Sequence, residues 1–212
     1  MNLNERIYEL NTRFNELIGK SPKTPAEMEE KELVRAELEK ALLKQSQPLH
    51  DDVLAVGIRI KSVSDFVNTA DKYPEAIPVL VKHLTRPYHQ RTRAGIIRAL
   101  TVKEAKGIAN KAILAEYRKA PKDDFHFAWL FGNAMSVIVT KDDLDELIEI
   151  VKDEGNGESR TGFIEALAKI RSPRVIEVLH QLEKDKNRIV AERAMKMLAR
   201  KAKSPDRKTR SR

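Results

Sequence analysis

The sequence has no cysteine, few aromatic residues and no long apolar run. Without cysteine, the chain has neither disulfides nor a cysteine-ligated zinc site. Aromatic residues make up 5% of the chain and charged residues 34%, a balance typical of proteins built from long helices. No apolar stretch reaches the roughly 18–20 residues of a membrane-spanning helix, and the polar start MNLNERIYEL does not resemble a signal peptide. We therefore expect a cytoplasmic protein without a membrane segment.

Signals of catalysis and of cofactor binding are also missing. The five histidines are scattered without metal-ligand spacing, and spacing assigns no nucleophile–base pair. The stretch Gly155-Asn156-Gly157 lies between two predicted helices, where it indicates a turn rather than a phosphate-binding loop. Aspartate pairs at 123–124 and 142–143 precede predicted helices, where carboxylates accept hydrogen bonds from free amide groups. We expect no enzymatic activity, no metal and no cofactor.

The positive charge is unevenly distributed along the chain. The net charge is +8, but residues 196–212 alone hold eight lysines and arginines against one aspartate. Residues 82–119 hold ten basic and two acidic residues, whereas 1–81 and 120–195 are each net negative. The sequence thus predicts a basic belt across the middle of a nearly neutral body. The basic tail, 204–212, has no apolar residue and should be disordered.

One stretch of the sequence recurs. Residues 77–100 align without a gap on residues 144–167, and six of the 24 pairs are identical. The identical pairs are Leu80/Leu147, Arg93/Arg160, Gly95/Gly162, Ile97/Ile164, Ala99/Ala166 and Leu100/Leu167. A further copy follows 31 residues after the second, with Val178, Leu182 and Leu198 among its matching apolar positions. Self-similarity at this spacing is typical of a helical solenoid.

Apolar residues at three- and four-residue spacing predict helices throughout the chain. An N-terminal hairpin, 1–47, comprises helices over 3–18 and about 25–45, and a capping box at Thr24-Pro25-Ala26-Glu27 opens the second. Two short helices are predicted over 50–60 and 63–71.

Four helical hairpins are predicted to follow. Their first helices lie at about 75–85, 104–119, 142–153 and from 173 onwards, and their second helices at about 89–101, 124–139, 158–170 and 188–201. The predicted domains are therefore an N-terminal hairpin (1–47) packed on a repeat solenoid (48–203), followed by the tail (204–212).

The pattern Arg-x-Gly-x-Ile-x-Ala-Leu at the second helix resembles HEAT repeats. The resemblance covers residues 74–203, and the arginine recurs as Arg93, Arg160 and Arg193 but is missing from the second repeat. It implies an all-α, armadillo-like fold, a right-handed superhelical stack of hairpins whose second helices line a concave, partner-binding face. Most HEAT proteins are scaffolds, adaptors or inhibitors. A minority resemble bacterial alkylpurine DNA glycosylases, which cradle DNA in the concavity.

Charged residues form a stripe on the predicted concave face. Arg91 and Arg98 lie opposite the apolar side of their helix, and the matching positions in the third repeat are Glu158 and Glu165. A stripe that changes sign suits a folded protein with complementary charges better than a uniform phosphate backbone. An ordinary solvated face is the other interpretation.

The second helix of the second repeat is unusually aromatic. Four of the eleven aromatic residues fall within 125–131, and apolar residues cover more than half of the helix surface, so the helix should be largely buried. The remaining arc carries His126, Trp129 and Asn133. A tryptophan flanked by polar groups is typical of a binding hot spot. Alternatively, Trp129 fills the core between repeats and its polar neighbours bond to backbone.

These observations favour a non-enzymatic helical-repeat scaffold or inhibitor/immunity-type protein that binds a protein with an acidic patch. The predicted partner-binding residues are Arg91, Arg98, His126, Trp129, Asn133, Glu158 and Glu165. The alternative is a DNA-binding or base-repair protein that uses the 82–119 belt and the tail. The tryptophan–aspartate pair of the glycosylases could match only Trp129 with Asp123 or Asp124, and no motif fixes that match. The oligomeric state is left open.

Overall fold

The computed structural model describes residues 1–121 and 124–203. Within these ranges it contains helices and no strand, and helices of all kinds account for 75%. The prediction of an all-helical protein is confirmed. The α-helices are α1 (Leu3–Gly19), α2 (Pro25–Gln45), α3 (Gln47–Ala55), α4 (Asp65–Asn68), α5 (Ala76–Leu84), α6 (Gln90–Ala99), α7 (Asn110–Lys119), α8 (Phe125–Ile138), α9 (Leu144–Lys152), α10 (Arg160–Lys169), α11 (Pro173–Leu182) and α12 (Arg188–Lys203). The predicted tail and Asp123 lie outside the described residues.

Most helices begin and end within a few residues of their predicted positions, but three segments differ. The helix predicted over 63–71 extends only over Asp65–Asn68. Gly57 has a φ of 85° just after α3, and residues 56–64 are not helical, so the predicted helix over 50–60 is too long. Gly107, with a φ of 78°, separates α7 from a short 3-10 helix at Lys103–Ala105. In both places a glycine in the left-handed region interrupts a helix that apolar spacing alone would extend.

Side-chain caps fix several helix starts, as the sequence predicts. Thr24 Oγ1 accepts a hydrogen bond from the N–H of Glu27 (3.2 Å), while Glu27 Oε2 accepts one from the N–H of Thr24 (2.9 Å). Asp124 Oδ1 accepts from the N–H of Phe127 at the start of α8 (2.9 Å). Asp143 Oδ2 accepts from a backbone N–H before α9 (2.7 Å). Both aspartates therefore lie at helix starts, where the dipole favours negative charge.

Two kinds of contact recur among the helices after α4. Consecutive helices pair, so that α5 contacts α6, α7 contacts α8, α9 contacts α10 and α11 contacts α12. The second helices also contact each other, since α8 packs against both α6 and α10, and α10 packs against α12. The matching repeat positions Leu80, Leu147 and Val178 are all buried in one continuous hydrophobic core. The repeat in the sequence thus marks packing positions.

The helices α8 and α10 approach each other closely at two glycines. A Cβ added to Gly162 would lie 2.8 Å from the carbonyl carbon of Gly132, and one added to Gly132 would lie 3.0 Å from Gly162 Cα. Neither position has room for a side chain, because backbone faces backbone. At Gly95, which matches Gly162 in the repeat, an added Cβ would meet Val63 Cγ1 at 3.2 Å.

The N-terminal hairpin of α1 and α2 has a small hydrophobic cluster of its own, separate from the main core. The buried members of this cluster are Ile7, Phe14, Leu38 and Ala41. Polar contacts join the hairpin to α6. Gln45 Oε1 accepts a hydrogen bond from the N–H of His89 (2.8 Å), and Arg91 reaches two asparagines of α1.

Candidate partner-binding site

An open cleft of about 570 Å³ lies between α4, α6 and α8. The last turn of α6 contributes Arg98, and α8 contributes Trp129 and Asn133. The segment between α4 and α5 forms the opposite wall with Lys72 and Tyr73. Three of the seven predicted partner-binding residues therefore line one cleft.

Trp129 lies on the surface and not in the core. It is 40% exposed, whereas Phe127 and Phe131 on the other side of α8 are 3% and 0% exposed. These two phenylalanines, and not Trp129, fill the core at α8. The alternative interpretation, in which Trp129 fills the core between repeats, is therefore wrong. The Trp129 indole N–H makes no hydrogen bond with the described residues, so the ring presents both an apolar surface and a free donor.

Arg98 is exposed at one end of the same cleft. Its guanidinium makes no hydrogen bond or ion pair with any described residue, while Ile96 and Ile97 on the opposite side of α6 are fully buried. Across the cleft, Lys72 is paired with Glu104 at 3.2 Å. The site thus combines an unpaired cation, a tryptophan ring and the half-buried amide of Asn133. Such groups can hold an acidic or an apolar side chain of a partner.

The N-terminal hairpin engages Arg91, the other predicted arginine. Its Nε donates to Asn11 Oδ1 (2.7 Å) and its Nη2 donates to Asn15 Oδ1 (3.2 Å). The guanidinium carbon also lies 4.9 Å from the centre of the Phe14 ring. Desolvation by these neighbours lowers the pKa of Arg91 from its ordinary value. No sequence pattern predicts this contact, because its acceptors are neutral asparagines 76 and 80 residues away.

The remaining predicted residues lie outside the cleft. His126 is exposed, and its ring centre lies 5.6 Å from that of Phe125. Glu165 is ion-paired with Arg193 of α12. Glu158 is half-buried just before α10 and forms no ion pair with a described residue. Of the two glutamates in the predicted stripe, Glu165 is therefore already neutralised by an ion pair within the chain.

The recurrent arginines form ion pairs between neighbouring hairpins. Arg93 Nη2 lies 2.7 Å from a carboxylate oxygen of Glu116 in α7. Arg160, 1% exposed, donates two hydrogen bonds to Asp185 at 2.7 and 3.0 Å. Arg193 pairs with a glutamate of α10. The first two arginines reach forward to the next hairpin, so their recurrence reflects packing between hairpins.

The Arg160–Asp185 pair is almost completely removed from water. Burial disfavours the charge of Asp185, but hydrogen bonds from Arg160 and from the N–H of Asn187, together with the arginine charge, outweigh this effect. The pKa of Asp185 is consequently below its ordinary value. Arg160 also donates to the carbonyl oxygens of Gly157 (2.9 Å) and Val151 (3.2 Å), so several of its donors are satisfied.

His83 is a fully buried histidine that the sequence pattern did not single out. Its Nδ1 lies 2.7 Å from Tyr88 Oη, and its Nε2 lies 2.9 Å from Asp52 Oδ2. Burial lowers the pKa of His83, against the opposing effect of Asp52, which favours a neutral ring. Hydrogen bonds from Lys82 and His83 lower the pKa of Asp52 to about 2. This chain of bonds links α3 to α5, and its buried histidine has no surface for a substrate.

Comparisons with known proteins provide no further guide to this site. No group of three or more histidine, aspartate or glutamate side chains in 1–121 and 124–203 could hold a metal ion. In the same ranges, no helix has the combination of length and apolar character needed to cross a membrane. No protein-family model, curated protein or solved structure matches the chain.

Proposed function

We propose that this chain is a non-enzymatic, HEAT-like helical-repeat protein that binds a protein partner through the surface of α6 and α8. The recurrent arginine, the buried repeat positions and the contacts between successive second helices support a right-handed stack of hairpins. In such a stack the second helices form the concave face. A scaffold or an inhibitor/immunity-type role is the form of binding that this arrangement suits best.

The observation that carries the proposal is the cleft where Arg98, Trp129 and Asn133 meet. Tryptophan and arginine are the residues most enriched in interface hot spots. Here the tryptophan is exposed and the arginine has no partner among the described residues, although both flank a well-packed core. A partner segment that places an apolar side chain on Trp129 and a carboxylate on Arg98 would satisfy both groups.

Nucleic-acid binding through the 82–119 belt has weaker support. Five of the ten basic side chains in this belt are already engaged by other parts of the chain. These are Lys82, Arg91, Arg93, Arg118 and Lys119. The belt is therefore not a continuous surface of unpaired cations of the kind that a phosphate backbone requires.

Quantitative affinity capture from the native host tests the proposal. Wild type and the variants Trp129→Ala and Arg98→Glu would serve as bait, and mass spectrometry would compare the proteins retained. We expect a protein that the wild type retains and that both variants lose, since truncation of a hot-spot residue costs at least about 2 kcal/mol, or about thirtyfold in affinity.

Two matched controls separate the site from general surface effects. Tyr8→Ala removes an aromatic ring that is 70% exposed on α1, and Arg59→Glu reverses an exposed arginine without a partner among the described residues. Both should retain the partner as the wild type does. Equal retention by all five baits would contradict the proposal. It would also be contradicted if nuclease treatment removed the species that Trp129→Ala and Arg98→Glu fail to retain.

A further inference from the structure

A second cavity, of about 730 Å³, lies between α10, α11 and α12. Its lining is rich in cations and has an apolar part that includes Ile176 and Met197. The basic side chains that line it are Lys169, Arg171, Arg200 and Lys201. Glu165 is the one carboxylate in the lining, and it is already bonded to Arg193. The cavity therefore has a marked excess of positive charge.

Half of these cations have no partner. Arg171 and Arg200 are exposed and make no hydrogen bond or ion pair with any described residue. Lys169 Nζ donates to the carbonyl oxygen of Ser136, and Lys201 Nζ donates to that of Ile170 (3.3 Å), so each lysine caps the end of the preceding second helix. Burial and the charge of Arg171 lower the pKa of Lys201, as expected where cations gather without a compensating anion.

The row of cations continues into a neighbouring cavity. This smaller space, of about 360 Å³, shares Lys169 and Arg171 with the first cavity and adds Lys106 and Lys141, and no carboxylate lines it. Neither added lysine has a partner among the described residues. The row thus follows successive connections between hairpins, with Lys106 after α6, Lys141 after α8 and Arg171 after α10. Beyond α12 the sequence adds four more basic residues and one acidic residue in 204–212.

From this arrangement we infer that the edge formed by Lys106, Lys141, Lys169, Arg171, Arg200 and Lys201 binds the phosphate backbone of a nucleic acid. None of these six side chains forms an ion pair with a described residue, and a row of such cations suits a ligand whose charge repeats, because each neutralised phosphate releases counterions. A single phosphorylated side chain or free phosphate would need only one of the two cavities. The start of α11 lies at the same place, and the positive end of its dipole adds to the attraction. This site is separate from the cleft of α6 and α8.

Fluorescence anisotropy of a short labelled DNA strand, alone and as a duplex, tests the inference on the full chain. The site variant carries Arg171→Glu and Arg200→Glu. The control carries Arg59→Glu and Lys111→Glu, which change the net charge equally at exposed positions without partners among the described residues. We expect wild type and control to bind DNA at physiological salt. The site variant should bind about tenfold or more weakly. The slope of its affinity against salt concentration should fall by the amount that corresponds to about two phosphate contacts.

Several outcomes would overturn the inference. The wild type could bind neither form of DNA, or site variant and control could weaken equally, which would indicate net charge rather than this edge. Inorganic phosphate or a phosphopeptide could bind at Arg171 and Arg200 while DNA fails to compete, which would assign the cavity to another ligand. Circular dichroism and melting curves check that the variants are folded. The double variant Arg171→Gln with Arg200→Gln removes the two positive charges without introducing negative ones. Trp129→Ala should bind DNA normally, so failure here and failure of the protein-binding proposal are distinguishable.

Discussion

Arg91 and Arg98 lie on the same side of α6, seven residues apart, but their surroundings differ. Asn11 and Asn15 accept the hydrogen bonds of Arg91, whereas Arg98 has no partner among the described residues and faces the cleft beside Trp129. Helical spacing assigns both arginines to one surface, but only the packing of α1 makes one of them structural. At the scale of single residues, neighbours decide which charges remain available to a ligand.

Substitution of Gly162 by alanine should destabilise the protein. The added methyl group would collide with the backbone of Gly132 at 2.8 Å, so α8 and α10 must separate. Such overpacking typically costs about 1–3 kcal/mol of unfolding free energy. Gly19→Ala is the control, because no atom lies within 4 Å of its added Cβ. Urea denaturation would measure both variants, and equal stability of the two would contradict the close contact.

Replacement of Arg160 by alanine should be among the most damaging changes in the chain. It leaves the Asp185 carboxylate buried without its partner, and breaking a buried pair in this way costs about 3–5 kcal/mol. Arg174→Ala removes an ion pair of similar length, 2.6 Å to Asp145, that is exposed to solvent and should cost at most about 1 kcal/mol. Similar losses for the two variants in chemical denaturation would show that burial does not govern the effect.

Among the structural elements, the hairpin of α1 and α2 is the most loosely integrated. Its buried cluster is separate from the main core, and polar side chains such as Gln45 and Arg91 connect it to α6. Elements held by few apolar contacts open at lower free energy than the core. The hairpin therefore has its own local stability within the molecule.

Arg91→Ala should loosen this hairpin without unfolding the core. We expect faster amide hydrogen exchange in α1 near Asn11 and Asn15, while exchange in α8 and α10 stays unchanged. Arg98→Ala removes the same side chain from a position without such contacts and serves as the control. Unchanged exchange in α1 of the Arg91 variant would mean that apolar packing alone holds the hairpin.

The sequence predicts elements better than it predicts contacts between distant segments. Apolar periodicity and caps located most helices, because both are local signals. The exceptions at Gly57 and Gly107 arise from backbone angles that periodicity does not register. The cleft was only half predictable, since helical spacing places Arg98 and Trp129 on exposed surfaces but says nothing of the α4–α5 segment that closes the opposite wall.

For the molecule as a whole, stability should fall as pH drops below about 6.5. Burial lowers the pKa of His50, His83 and His89, so the folded state binds fewer protons than the unfolded chain once the pH falls below the unfolded value of about 6.5. The destabilisation should grow with acidification until the folded-state pKa values are reached. Denaturation midpoints between pH 7 and pH 5 would measure it.

A histidine substitution can locate part of this pH dependence. His83→Gln should show a smaller loss of stability between pH 7 and pH 5 than the wild type, even if its stability at pH 7 is lower. His180→Gln, at an exposed position on α11, is the matched control. An unchanged pH dependence in the His83 variant would rule out this histidine as a contributor.

The surface of α6 and α8 contains the chain's only tryptophan, so its fluorescence reports on the proposed partner site directly. The measurement is acrylamide quenching of Trp129 in the free protein and in the complex with the captured partner, prepared from a tryptophan-free form of that partner. Because Trp129 is 40% exposed in the free chain, we predict that quenching falls several-fold in the complex. Unchanged quenching in a complex that size-exclusion chromatography shows to be intact would place the partner elsewhere and contradict the proposed site.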